Sequence, residues 1–215
     1  MACPNGSERN VSVVLQDAIP KCLCRAADAA WPAPDWIYWH RYQGPNSDKY
    51  GSMDRSRIPP ACLAALDAIA LSAIPHIGDS FIDYDLHAAG MHMIPPGGFV
   101  GRHCDAVDHP TRPWIRTHSI VLCVNEHWES SWGGELLLYE GDSSVGGQSV
   151  LPRSGQAIVF QTPNQWHEVL GVSRDCPTYR RTLALFAWSK FDGNRGSRTA
   201  AEFVSKEEVY APRSL

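Results

Sequence analysis

The chain has 215 residues, with 19 basic and 23 acidic side chains and a formal net charge of -4. That length supports one domain with a substantial core, and no basic run offers the electrostatic footprint of a nucleic-acid binder. No apolar stretch reaches the length of a membrane span, no basic-then-apolar leader is seen, and the seven cysteines follow no disulfide or zinc spacing, so a cytoplasmic protein with reduced thiols is expected.

Residues 1–10 are polar and read as loose. Residues 11–30 mix β-branched and alanine-rich stretches, with a helix expected over 21–30. Residues 31–42 are aromatic and proline-interrupted, a strand or packing arm; 43–56 are polar with Gly and Pro, the composition of a loop. Pro59 and Pro60 open a helix over 61–72, since proline is tolerated in the first turn and the alanines and leucines that follow keep helical spacing. From 81 to about 188, short apolar and β-branched runs alternate with Gly, Pro and Asn turns, the pattern of strands. Residues 190–215 are polar, with a short helix expected at 199–206. Helices followed by many short strands predict a mainly β protein with flanking helices packed on one face of a sandwich or barrel. The expected organisation is a single domain: 1–80 as support, 81–190 as the core, 191–215 as a tail.

The chemistry is concentrated in His103-Cys104-Asp105, the distant His167 and the pair Arg180-Arg181. Side chains alternate faces along a strand, so His103 and Asp105 point one way and Cys104 the other. With one distant histidine they form a 2-His-1-carboxylate set, which holds three corners of an octahedral Fe(II) and leaves three open. An arginine a strand-length beyond the second histidine suits the far carboxylate of a keto-diacid, bound through two parallel hydrogen bonds. Each candidate ligand falls at a strand end or strand–turn junction, where a barrel presents side chains into its mouth.

These pieces resemble the Fe(II)- and 2-oxoglutarate-dependent oxygenases, in particular the prolyl-hydroxylase-like group. The matching residues run from Pro95–Gly98 through His103 and Asp105, then Arg116, Ser119, Asn125 and Trp128. Next come Gly133-Gly134-Glu135-Leu136, Gly155 with Phe160, His167-Glu168-Val169, and Arg180-Arg181-Thr182-Leu183. The resemblance spans about residues 81–188. It implies a double-stranded β-helix core (jelly-roll, cupin-like) and His103, Asp105 and His167 as ligands of Fe(II). The cosubstrates would be 2-oxoglutarate and O2, with ascorbate as reductant. It also implies Arg180 on the 2-oxoglutarate C5 carboxylate, since Thr182 and Phe186 follow at the family's spacing; Arg181 is second choice. Relatives often carry tyrosines where this chain has Ile94 (or Met93) and Cys123. The missing hydrogen bond is therefore expected from His92, Ser119 or Thr182.

The implied reaction is hydroxylation of an aliphatic C–H in an amino acid, peptidyl residue or small metabolite, with release of succinate and CO2. Halogenating relatives lack the carboxylate ligand, so Asp105 argues against that outcome. The rival readings are a cupin-type metalloenzyme such as an isomerase, which needs no arginine clamp, and a non-catalytic binding module on the same fold. Asp108 and His109 read as solvated loop residues, Glu135 as a partner of Arg116 or a residue at the mouth, and Trp166 as packing away from the iron. The substrate and the oligomeric state are not written in the sequence.

Overall fold

The computed structural model describes residues 12–87, 89–140, 147–191 and 200–204. The chain begins with β1 (Ser12–Leu15), α1 (Lys21–Ala29), β2 (His40–Gly44), β3 (Ser47–Ser52) and α2 (Pro60–Ala73). Strands β4 (Phe81–Ile82), β5 (Gly90–Ile94), β6 (Phe99–Cys104), β7 (Trp114–Cys123) and β8 (Leu136–Tyr139) follow. The last are β9 (Gly147–Val150), β10 (Ala157–Gln161), β11 (His167–Val169), β12 (Arg180–Lys190) and β13 (Glu202–Phe203). They pair antiparallel along the path β1-β10-β7-β12-β5-β3-β6-β11-β8-β9, with β13 added to β6, β2 to β3 and β4 to β12. The mainly β, curled jelly-roll sheet with few helices is the fold class the sequence predicts.

Strand alternation divides the sheet into two faces. On β12, Leu183 and Leu185 are fully buried together with Met91, Met93, Ile120 and Leu122. They share a core with α2, whose buried residues Cys62, Ala65, Leu66, Ile69, Ala70 and Ala73 recur at helical spacing. The opposite face carries Arg180 and Thr182. The ladder continues that face through His92, paired with Thr182, and through Cys123 on β7. A second apolar cluster, with Cys123, Leu136, Leu138, Ile158 and Phe160, lines this inner side.

Two expectations are corrected. The segment 43–56, expected as a loop, mostly forms the β2–β3 hairpin, with Tyr42 opposite Lys49 and Gly44 opposite Ser47. Its polar composition is that of a strand bordering the site, and its backbone is satisfied by β5 and β6. Within the helix expected at 199–206, Glu202 and Phe203 instead pair with Cys104 and His103. The exposed row of β6 offers backbone partners that a short polar helix would lack. Residues 1–10, 199, 205 and 206 lie outside the described residues.

Arg181 leaves the inner face and ties β12 to α1, its Nη1 2.6 Å from Asp28 Oδ1. Both side chains are about one-quarter exposed or less. Arg181→Met is therefore expected to cost about 1–3 kcal/mol of stability, the worth of a charged hydrogen bond, in urea unfolding. A loss of 2-oxoglutarate affinity without a loss of stability would contradict this anchoring role.

Candidate metal centre

His103 is the penultimate residue of β6 and His167 begins β11, directly opposite each other in the ladder. Asp105 follows one residue past the end of β6. The pairing of β6 with β11 is irregular, so that the four residues from Val100 to His103 oppose the three from His167 to Val169. The ligand-type atoms of His103, Asp105 and His167 all lie within 4.8 Å of one another. Asp105 Oδ1 is 3.6 Å from His103 Nε2 and 3.9 Å from His167 Nε2.

Proton placement follows from the neighbours. His103 Nδ1 lies 2.8 Å from the Gly101 carbonyl and His167 Nδ1 3.0 Å from the Gln165 carbonyl. A carbonyl only accepts, so each Nδ1 carries the proton and each Nε2 presents a lone pair toward Asp105. That is the tautomer a metal ligand needs. Burial, with His103 beside it, pushes the His167 pKa down to about 4, keeping the ring neutral at physiological pH.

The Asp105 carboxylate has its two oxygens in different surroundings. Oδ2 accepts the Ser119 hydroxyl at 2.7 Å and lies 3.3 Å from Arg116 Nη1. Oδ1 faces the imidazoles. Burial opposes ionisation of Asp105, yet His167 and Arg116 hold its pKa well below the usual carboxylate range. Arg116 and Ser119 are three residues apart and would face opposite sides of a regular strand. A bulge on β7 sets Arg116 opposite Trp188 and His118 opposite Ala187, skipping Thr117, and returns Arg116 to the inner side. Arg116 therefore pairs with Asp105, and its guanidinium carbon lies 3.5 Å from the Phe186 ring centroid. The R-x-x-S spacing held this information, but the bulge that makes it meaningful was not readable.

Asp83, His87 and His109 bring ligand-type atoms as close together. Their proton placement differs. His109 Nδ1 accepts the backbone N–H groups of Thr111 and Arg112, at 3.2 and 3.1 Å. Its Nε2 therefore carries the proton and donates to Asp83 Oδ2 at 3.3 Å. With no lone pair on Nε2, the group works as a hydrogen-bonded latch between the loops that follow β4 and β6. His109 is 1% exposed and Asp108 6%, so neither is the solvated residue expected.

Arg180 is 2% exposed. Its Nε donates to the Gly134 carbonyl at 2.7 Å. Its buried Nη2 has no hydrogen-bond partner among the described residues. A buried charged donor left in this way fits an anionic ligand such as the cosubstrate carboxylate. Gly133 and Gly134 adopt positive φ (66° and 74°), and a Cβ on Gly134 would sit 3.1 Å from Arg180 Cδ. The glycine pair thus allows the backbone to reach the guanidinium. Asn125 accepts from the Arg181 backbone N–H at 2.7 Å and donates to the Tyr179 carbonyl at 2.9 Å, fixing the register at the start of β12. Ser119, expected near the cosubstrate, is engaged by Asp105 and Thr162 instead. Thr182 is buried on the inner face beside His92. Trp166 packs against Arg102, 5.4 Å from its guanidinium carbon.

His92 has no hydrogen-bond partner for its buried Nε2 among the described residues. Burial, and then the Lys49 charge, push its pKa down to about 3. Unfolding returns it to the ordinary value near 6.5. The unfolded chain therefore takes up a proton that the folded one refuses, and stability falls as pH drops below about 6.5. The slope from such a group is about 1 kcal/mol per pH unit. In metal-free protein, urea unfolding between pH 7 and pH 5 should show this loss, and His92→Gln should make the slope shallower. An unchanged slope in the variant would contradict a neutral buried His92.

Residues 89–188 match the family model described as the 2OG-Fe(II) oxygenase superfamily, whose enzymes work with Fe(II), 2-oxoglutarate and O2. No curated protein sequence gives a match. Among solved structures, a Pseudomonas putida prolyl-4-hydroxylase is 25% identical with a TM-score of 0.59, over 85% of this chain and 93% of that one. The Trichoplax adhaerens prolyl hydroxylase in complex with a hypoxia-inducible-factor peptide fragment shares the fold at 15% identity and TM-score 0.55, over 82% and 83%. So does the non-heme alpha-ketoglutarate-dependent epimerase SnoN from nogalamycin biosynthesis, at 10% and 0.54, over 85% and 79%. Among the described residues, no helix is long and apolar enough to cross a membrane. Family match, fold and buried His/Asp group agree: residues 89–188 carry the match to the 2OG-Fe(II) oxygenase superfamily, and the fold is similar to that of a prolyl-4-hydroxylase.

Proposed function

We propose that the protein is a hydroxylase acting on an aliphatic C–H of an amino acid, peptidyl residue or small metabolite, with release of succinate and CO2. In this reading His103, Asp105 and His167 hold Fe(II), and Arg180 with Thr182 holds the C5 carboxylate of 2-oxoglutarate. The observation that carries it is the pair of Nε2 lone pairs facing a carboxylate oxygen that Ser119 and Arg116 leave free. Fe(II) with 2-oxoglutarate and O2 would supply the oxidising power for C–H cleavage, with ascorbate maintaining the reduced metal.

The chain's own residues orient and shield. The Gly101 and Gln165 carbonyls hold the imidazoles in the ligating tautomer. Ser119 and Arg116 occupy Asp105 Oδ2, favouring ligation through one oxygen. Arg180, fixed by Gly134, presents its guanidinium to the far carboxylate. Phe203 stacks on His103, with ring centroids 4.9 Å apart and planes 22° from parallel, and shields that ligand from water.

The wild-type protein should bind about one Fe(II) per chain and convert 2-oxoglutarate to succinate. His167→Ala should abolish this turnover at unchanged circular dichroism, and full activity in that variant would reject the ligand set. Arg180→Ala should raise the apparent KM for 2-oxoglutarate well over tenfold, as expected when about 2–5 kcal/mol of charge pairing is lost, and Arg181→Ala should change it little. The opposite ranking would move the clamp to Arg181. Ser119→Ala should weaken Mn(II) binding about 10- to 100-fold in calorimetry, the usual effect of removing a group that orients a ligand. Unchanged affinity would show that the hydroxyl does not set the carboxylate.

A further inference from the structure

The β2–β3 hairpin brings a cation into the inner face that neither the ligand set nor the cosubstrate clamp uses. Tyr42 stands directly opposite Lys49, and cross-strand partners share a face. Gly51, two residues on, lies on the same face and pairs with His92. His92 in turn pairs with Thr182, and Arg180 is two residues before it. Lys49 therefore belongs to the row that ends at the cosubstrate clamp. The packing agrees: a Cβ on Gly51 would touch Tyr42 at 3.3 Å and His92 at 3.9 Å.

Lys49 is half-buried. Among the described residues no hydrogen bond or ion pair engages its ammonium, and Nζ lies 5.6 Å from the Tyr42 ring centroid. Its charge is felt by Asp105, His167 and His92, in keeping with its place on the inner face given by the strand register. Asp105 is already matched by Arg116. With a divalent metal and a dianionic cosubstrate in place, Arg116, Arg180 and Lys49 leave positive charge in excess. A partly desolvated site of that sign attracts and orients an anion.

We propose that Lys49 binds a carboxylate of the primary substrate, which makes that substrate a small carboxylic acid, such as a free amino acid or 2-hydroxy acid, rather than an internal residue of a polypeptide. This rests on the Fe(II) and 2-oxoglutarate reading given above. Arg180 takes the cosubstrate carboxylate, and Lys49, on the neighbouring hairpin, takes that of the substrate. The Tyr42 ring walls the ammonium on one side and reinforces it through its π-face.

The test uses the Fe(II)-loaded full chain. The probes are the proteinogenic L-amino acids, their 2-hydroxy analogues and the corresponding primary amides, each scored by stimulation of 2-oxoglutarate-dependent succinate release. At least one free acid should stimulate release, and its amide should be at least tenfold weaker. Lys49→Met should raise the apparent KM for that acid at least tenfold, and Lys49→Arg should recover part of the loss, which a merely structural role would not give. Lys49→Gln serves in the same comparison if the methionine variant does not fold. Anaerobic binding of 2-oxoglutarate to the Mn(II)-loaded protein, followed by tryptophan fluorescence, should differ less than twofold between wild type and Lys49→Met. An amide as effective as its acid, stimulation by none of the acids, or a shift of the loss to 2-oxoglutarate binding would overturn the assignment of Lys49 alone. Failure of the wild-type protein to bind 2-oxoglutarate would remove the underlying reading as well.

Discussion

Two backbone carbonyls, of Gly101 and Gln165, decide where the protons sit on His103 and His167, and the site depends on that placement. With Nδ1 committed to a carbonyl, each Nε2 is left as a lone pair in a dry environment. The same environment keeps His167 neutral. Asp105 complements them because its other oxygen is held by Ser119 and Arg116. Two imidazoles and one free carboxylate oxygen then converge without any side chain having to rearrange, the preorganisation that a metal site of this type requires. The Asp83 group shows the converse. Its distances are similar, but the amides of Thr111 and Arg112 fix the opposite tautomer on His109, and the group closes on itself.

Alternation along β12 does for charge what these carbonyls do for protons. Arg180 and Arg181 are neighbours in sequence, yet one is buried beside Gly134 and the other is paired with Asp28 on α1. One strand thus supplies both a guanidinium with no ion pair among the described residues and the anchor that secures the strand to the helical layer. The period-two rule separates the two roles, and Asn125 holds the register that assigns them.

Much of this was legible in the sequence. The helices at Lys21–Ala29 and Pro60–Ala73 and the strands Leu136–Tyr139 and Arg180–Lys190 are strongly patterned. The H-x-D, the distant histidine, the glycine pair and the arginine occur in an order that few other chemistries need. What was not legible came from tertiary geometry. The bulge at Thr117 brings Arg116 to Asp105, and it leaves no mark in composition. Ser119 was one of three residues expected to replace the missing tyrosine hydrogen bond at the cosubstrate, yet its hydroxyl donates to the Asp105 carboxylate. The β2–β3 hairpin reads as loop because its inner face is polar, and so Lys49 was missed. Polar residues on a strand that borders a polar inner face erase the alternation by which strands are recognised.

The most direct measurement is anomalous diffraction at the manganese edge from crystals of the Mn(II)-loaded protein. A single strong peak should lie between His103 Nε2, Asp105 Oδ1 and His167 Nε2, with Asp105 Oδ2 still on Ser119 and Arg116. A peak between Asp83, His87 and His109, or ligation of either site histidine through Nδ1, would contradict the proton placement from which the site is built.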